Sequence, residues 1–458
     1  MFRIPLIFLI LVSAVYAQDS YVAARNDKNI AEPLKDATNP ATRPVLSKYY
    51  DPQDGVSLRD LINKALESNQ EIVAARLEID KARARLLQAG LRPNPTLDVE
   101  QTTGRFTGSP GDRALSVGVS LPIEIYGRRS SRIDLARIGI EASEADIRNR
   151  ERVLVANILT NYAQALGALR ELEVTERLLD LDLETTRVVQ IRVNEGEVPP
   201  LELNLLQAEV ERLRARRQLT EGKLQAAYTQ LKLLASIPYE ESFRLGEQMT
   251  SASLPALPIT TEAAIDIAMR TRPDVRLAQI EEQLAVAGLR LIRAESRPSL
   301  VANTRYSQDR ATYDSAAVPF AERGRSLTFG VSVGLPVFNK NQGAMAEAAI
   351  AINQARSRRE FGERVVRSEI IAAFQRYEAA SRAVATLETL ALPRTTANVE
   401  TFRRVYELGE IKITDLITEQ RRLLDATRDL TEALGERYRA QADLNIAIGG
   451  AALLPEPK

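Results

Sequence analysis

Carboxylates and guanidinium groups dominate the polar chemistry of this 458-residue chain, which has 61 acidic side chains, 61 basic side chains, no histidine and no cysteine. The usual ligands of zinc and copper and the common nucleophiles are therefore missing. No glycine-rich phosphate loop precedes a lysine. With 27% charged residues, neighbouring carboxylates are expected by chance on solvated helices. We therefore expect no catalytic residue, no metal site, no cofactor and no enzyme.

The overall charge is zero, which provides no electrostatic footprint for nucleic acid. The lack of cysteine also rules out disulfide bonds and a lipid-modified N-terminal cysteine.

Two glycine-containing segments, Arg192–Val198 and Arg404–Ile411, repeat each other about 200 residues apart. Each contains a Gly-Glu pair, Gly196-Glu197 and Gly409-Glu410. Because glycine adopts positive φ without a β-carbon clash, we predict that both glycines end helices in the left-handed conformation.

Two strand-like segments also repeat, Leu115–Pro122 and Leu327–Pro336. In both, every second side chain is large and apolar, and the residues between are Ser, Thr or Gly. This period of two fits a strand between lipid and water, although a single such hairpin also fits a half-buried strand of a soluble sheet. The side chains expected to face lipid are Val117, Val119, Leu121, Phe329, Val331 and Val333.

Around these segments the chain predicts one unit duplicated, mainly α-helical with a small β part. The first repeat, 57–240, comprises a helix, a β-hairpin at 96–121, a long helix at 127–193 and a return helix at 201–235. A linker at 241–260 leads to the second repeat, 261–449, with a helix, a hairpin at 299–336, a long helix at 343–408 and a return helix at 414–448. Apolar residues spaced by three and four, such as Val155, Ile158, Tyr162 and Leu169, predict coiled-coil packing. Pro393 should kink or divide its helix.

The ends of the chain have other compositions. Residues 1–17 resemble a secretory signal peptide, with a basic start, a short apolar run and small residues near Ala17. Residues 18–56 are expected to be an extended segment that lies on another surface or is partly disordered, and 450–458 to be a short tail.

Four strands per chain are too few to enclose an aqueous lumen, whereas three chains would supply twelve. Beside them stand helices that would be about 100 Å long. This combination predicts a membrane channel with a helical extension.

The chain resembles the TolC-like outer-membrane efflux channels, and more closely their CzcC-type branch, which serves heavy-metal efflux pumps. The resemblance covers about 57–449 and is carried by the segments 121–129, 272–274 and 335–343 and by the two Gly-Glu turns. It implies a homotrimer with a twelve-stranded β-barrel in the outer membrane of a Gram-negative bacterium and a long periplasmic coiled-coil tunnel. It also implies partnership with a periplasmic membrane-fusion adaptor and an inner-membrane RND transporter.

The resemblance further implies site residues near the turns. The expected adaptor contacts are Arg192, Gly196, Glu197, Val198, Arg404, Gly409, Glu410 and Ile411. The expected aperture residues are Asp415, Thr418 and Glu202, with Thr418 standing where some members carry a second Asp. An alternative for Asp415 is that it only caps the return helix.

The implied function is passive export of heavy-metal cations. Two alternatives stay open: the same channel serving drug or protein export, and a secreted coiled-coil scaffold without a pore.

Overall fold

The computed structural model describes residues 45–106, 111–249, 254–258, 260–313 and 320–450. The predicted signal peptide and residues 451–458 lie outside these ranges. Of the predicted N-terminal segment, 45–56 is described. It forms a short 3-10 helix, Val45–Lys48, and then bridges from Tyr50 and Val56 to Leu245.

The first repeat begins with two helices and a β-hairpin. Its elements are α1 (Leu58–Ser68), α2 (Gln70–Gly90), β1 (Thr96–Thr103), β2 (Arg113–Ile123), α3 (Arg128–Asn194) and α4 (Pro200–Leu234). Helix α3 has 67 residues and is therefore about 100 Å long. Asn69 separates α1 from α2, because its side chain accepts the first amides of α2.

The second repeat follows the same order. Its elements are α5 (Thr261–Thr271), α6 (Pro273–Glu295), β3 (Ser299–Tyr313), β4 (Phe320–Gly334), α7 (Gln342–Thr386), α8 (Leu392–Glu407) and α9 (Ile413–Ala447). A π-helical turn, Leu387–Ala391, joins α7 to α8 just before Pro393. The amide of Leu392 bonds to the carbonyl of Leu387, so the wider turn accommodates the proline, which has no amide donor.

The helices pack through a leucine-rich and alanine-rich core. The predicted seam is confirmed, since Val155, Ile158, Tyr162 and Leu169 are all buried. They lie in one cluster with residues of α1, α4 and α9. Among the described helices, none combines the length and the apolarity needed to cross a bilayer.

The four strands form one antiparallel sheet in the order β1-β2-β3-β4. The central pair, β2 and β3, joins the hairpins of the two repeats, with Val117 opposite Tyr306. Strands β1 and β4 are the edges of this four-stranded sheet. Chain continuity places the helices at one end of the strands, and the opposite end is where β1 and β3 finish and β2 and β4 begin.

Candidate channel site: the sheet and the helical tips

The apolar side chains predicted to face lipid share one face of the sheet. Val119 lies in register with Thr304 and Phe329, and Leu121 with Ala302 and Val331. All six predicted residues are exposed, from 37% for Val117 to 74% for Phe329. Exposure of so continuous an apolar face is unfavourable in water, and it indicates contact with another apolar phase.

The opposite face is polar, and several of its glycines lie beside polar side chains. A β-carbon on Gly330 would stand 2.4 Å from Asn303 Oδ1, and one on Gly324 would stand 2.6 Å from Asp309 Oδ2. Arg305 pairs with Glu100 at 3.3 Å on this face, where Ser120 also bonds to a carboxylate. The charged residues of this face in the described strands are Asp98, Glu100, Arg305, Asp309 and Glu322. Acidic groups therefore outnumber basic ones there.

At the far end of the helices, both Gly-Glu turns have the same backbone geometry. Gly196 and Gly409 each have φ of +76°, which confirms the predicted left-handed conformation. In the first turn, Glu197 N–H donates to the Arg192 carbonyl at 2.9 Å. In the second, Glu410 N–H donates to the Val405 carbonyl at 3.2 Å. These six-to-one bonds are those of a Schellman motif, so both glycines have a structural role as C-caps.

Arg192 connects the two turns. Its guanidinium lies 3.5 Å from the Glu197 carboxylate and donates to the Glu407 carbonyl at 3.1 Å. It also lies over the ring of Tyr406, 5.6 Å from the centroid. Tyr406 in turn donates its hydroxyl to Glu202 at 3.2 Å. Burial, together with the charge of Glu202, raises the pKa of Tyr406, so the hydroxyl stays protonated as a donor.

An open groove of ≈ 750 Å³ runs between the turns. Of the predicted site residues, it brings together Arg192, Glu197, Val198, Glu202, Gly409, Glu410, Ile411 and Asp415. Gly196, Arg404 and Thr418 do not line it. Val198 and Ile411 are also partly buried against an apolar cluster at the tip, which gives them a packing role.

Asp415 is an exposed residue in the first turn of α9. Its carboxylate accepts the backbone amide of Lys412 at 3.3 Å. The capping role that the sequence left open is therefore present. Thr418 donates its hydroxyl to the Thr414 carbonyl at 2.7 Å.

The structure contains two buried polar centres that the sequence does not predict. Arg272 is 3% exposed and bonds to Asp274, to Glu369 and to the Ala447 carbonyl, so it ties α6 to α7 and α9. Burial acts to raise the pKa of Asp274, but the hydrogen bonds and charge of Arg272 outweigh it and hold that pKa below its usual value. The segment 272–274 carries part of the family resemblance, but its residue types do not predict burial of an arginine.

The second centre is Asp182, which is 3% exposed between α3, α4 and α9. Burial, reinforced by the charge of Glu209, raises the pKa of Asp182 to about 6. Glu209 itself pairs with Arg421 at 2.8 Å. The Oε1 atom of Gln420, beside Asp182, is buried and has no hydrogen-bond partner in the described structure. Within the described residues, no group of three or more acidic side chains is arranged to hold a metal ion.

The chain matches the family model described as "Outer membrane efflux protein" over residues 61–237 and 264–450. Among curated proteins, it is 24% identical to the cobalt-zinc-cadmium resistance protein CzcC of Cupriavidus metallidurans, over 86% of this chain and 90% of that protein. It is 21% identical to the cation efflux system protein CusC of Escherichia coli K12, over 86% of each chain.

Solved structures show the same fold. A crystal structure of CusC superposes with a TM-score of 0.72 at 20% identity, over 86% of this chain and 92% of that one. The outer-membrane channel OprN superposes with a TM-score of 0.71 at 18% identity, over 89% and 95% of the two chains. The fold is therefore the TolC-like one, with two structural repeats. The chain belongs to the outer membrane efflux protein family and is an outer-membrane efflux channel, not an enzyme.

Proposed function

We propose that three copies of this chain close a twelve-stranded barrel in the outer membrane and conduct heavy-metal cations from a periplasmic tunnel to the outside. The single observation that carries this proposal is the sheet, which leaves both edge strands and one apolar face open. A four-stranded sheet with open edges is prone to pair with other chains. If β4 of each copy pairs with β1 of the next, every edge strand of the three sheets gains a hydrogen-bonded neighbour.

The strand directions suit that closure. Strand β1 runs away from the helices and β4 runs back towards them, so β4 of one copy would pair antiparallel with β1 of the next. The polar face, rich in small residues and carboxylates, would then line the lumen, and the apolar face would meet lipid.

The acidic lumen face supports cations as cargo, because rings of carboxylates attract cations and repel anions. The two curated relatives above are described as a cobalt-zinc-cadmium resistance protein and a cation efflux protein. The groove between the Gly-Glu turns is the proposed contact of a periplasmic adaptor, which would connect the channel to an inner-membrane RND transporter.

Asp415 is the proposed aperture residue. In a three-fold assembly, three carboxylates near the tips would form an acidic ring. Asp415→Asn is a clean test, since the amide oxygen can still accept the Lys412 amide while the charge is removed. We expect lower cation selectivity and weaker block by divalent cations, with conductance little reduced. Unchanged selectivity and block would leave Asp415 with the capping role alone.

The cysteine-free chain permits a direct test of closure. Each variant would carry two cysteines. One replaces Leu97 or Val99 on the outward face of β1, and the other replaces Leu327, Phe329 or Val331 on β4. Oxidation in isolated outer membranes should cross-link at least one pair into covalent trimers. A pair on β2 and β4, Val117→Cys with Leu327→Cys, is the control, because β3 separates these strands within one chain.

The scaffold alternative makes the opposite prediction. A pore-free scaffold would wash from membranes in high salt or alkali and would give no trimeric cross-link from any pair. The proposed barrel should resist both treatments.

A further inference from the structure

We propose that a patch of four arginines on the outward face of the barrel binds the phosphate groups of the outer-leaflet glycolipid, lipid A. The patch consists of Arg113, Arg310, Arg323 and Arg325. This inference rests on the proposed barrel and its orientation, and it adds a lipid ligand that the efflux function does not require.

The register places the arginines together. Arg113 lies directly opposite Arg310, which lies directly opposite Arg323 on the other side. Arg325 follows Arg323 by two residues on β4, so both side chains lie on the same face of the sheet. These residues share the face of Leu115, Val117 and Leu327. All four arginine side chains are exposed.

Like charges directly opposite each other in a sheet are destabilising unless they are compensated. In the described part of the sheet, the carboxylates of the strands lie on the other face, where Glu100 pairs with Arg305. Asp112, the acidic residue next to Arg113, accepts the Thr312 amide at 2.8 Å. Within the described structure, none of the four guanidinium groups forms an ion pair with the protein. An anion from outside is therefore the expected partner.

The height of the patch identifies the source of that anion. On β4, eight residues separate Arg325 from Val333, which is about 27 Å along the strand and about 20 Å along the barrel axis at the usual tilt. The apolar band of an outer-membrane barrel is about 25 Å tall, so the patch lies near its edge. That edge is the one remote from the helices, at the outer leaflet if the helices are periplasmic.

The chemistry fits phosphate. Guanidinium groups bind phosphate oxygens with two parallel hydrogen bonds, and a row of them can hold two phosphates at once. A headgroup held at this depth by its own acyl chains reaches the patch at a high local concentration, whereas free phosphate does not. We therefore assign the patch to a lipid.

The test uses the purified full-length channel in detergent and measures lipid A binding by native mass spectrometry or by fluorescence titration. The variant combines Arg113→Gln, Arg310→Gln and Arg323→Gln. Each basic residue near a charged membrane surface contributes roughly fivefold, so loss of three should weaken lipid A binding about a hundredfold. Arg310→Gln alone should show a smaller loss of the same kind. The matched control removes three exposed helical arginines, Arg59→Gln, Arg358→Gln and Arg367→Gln, and should bind as the wild type does.

Wild-type protein provides a second test that needs no variant. Dephosphorylated lipid A lacks the charged groups that the four guanidinium groups would bind. It should therefore bind at least about tenfold more weakly than lipid A. Inorganic phosphate at the same phosphate concentration should not displace lipid A. Equal binding of the two lipids, displacement by phosphate, or equal loss in the patch and control variants would overturn the proposal. A wild-type protein that conducts in bilayers but fails these tests refutes only the lipid site, whereas one that does not conduct contradicts the proposed barrel.

Discussion

Tyr406, at the end of the second repeat's long helix, donates its hydroxyl to Glu202 in the first turn of the first repeat's return helix. This hydrogen bond between side chains connects the two repeats at the tip. Arg192 supports it from α3 by lying over the tyrosine ring. A movement that separates α8 from α4 must break this bond, so we propose that it acts as a latch between the repeats.

Tyr406→Phe should weaken that latch while keeping the ring in the apolar tip cluster. A hydrogen bond to a charged group is worth about 1.5–3 kcal/mol, so the tip arrangement described above should lose stability by an amount of this order. Single-channel recording should show a larger open fraction. Glu202→Gln keeps an acceptor for the hydroxyl and should have a smaller effect. An unchanged open fraction in both variants would mean that the latch does not control the tip.

Val331→Arg should destabilise the barrel, because the residue lies midway along the apolar face. The cost is about 2–4 kcal/mol near the bilayer midplane. Ser332→Arg is the matched control on the polar face, where Ser332 accepts from Asn303. Heat-modified mobility of the trimer and its abundance in the outer membrane provide the measurement. If both variants were tolerated equally, neither face of the sheet would be against lipid.

Glu410→Lys should impair adaptor binding without unfolding the tip. Glu410 is exposed and lines the groove between the turns. It is a sharper probe than Val198 or Ile411, whose partial burial in the tip cluster makes an acidic substitution destabilising. Glu400→Lys, an exposed change of the same charge on α8, is the control. Adaptor pull-down and metal efflux should fall only in the first variant. Equal loss in both, or in neither, would remove the groove as the docking site.

Asp182 predicts a specific dependence of stability on pH. The pKa of Asp182 is about 6 in the folded protein and about 4 in the unfolded chain. Between about pH 4 and about pH 6 the folded protein therefore carries one more proton than the unfolded chain. The contribution of Asp182 to the free energy of unfolding is therefore largest below about pH 4 and is lost as the pH rises through about 6. Asp182→Asn should stabilise the protein at pH 7 by about 3 kcal/mol, and the gain should vanish near pH 4.

Denaturant unfolding at several pH values checks this prediction. Asp180→Asn is the control, since Asp180 is exposed two residues away on the same helix. A gain at pH 7 that persists undiminished at pH 4 would show that packing, not charge, limits stability at Asp182.

Much of the fold could be predicted because its signals are local. The period of two around Val119, the three-four spacing around Ile158 and the glycines of the turns each follow from a few neighbouring residues. Gly196 and Gly409 were predicted to have positive φ, and both have it. The repeat then implied one architecture for both halves.

The polar centres could not be predicted in the same way, because they join residues that are distant in the sequence. Tyr406 and Glu202 are 204 positions apart, and Arg272 meets Glu369 across 97. The arginine patch likewise appears only once the register of β2, β3 and β4 is known. The sequence predicts that Pro393 kinks or divides its helix, and the structure has a π-helical turn just before it.

The most direct test of the central claim is single-channel recording with the purified protein in planar lipid bilayers. We predict discrete conductance steps, with cations carrying more current than anions because carboxylates outnumber basic groups on the polar face of the described strands. Because the natural chain has no cysteine, the recording should be repeated with the covalent trimer of a β1–β4 cysteine variant. A trimer or monomer that binds membranes but gives no steps at any voltage would contradict the channel.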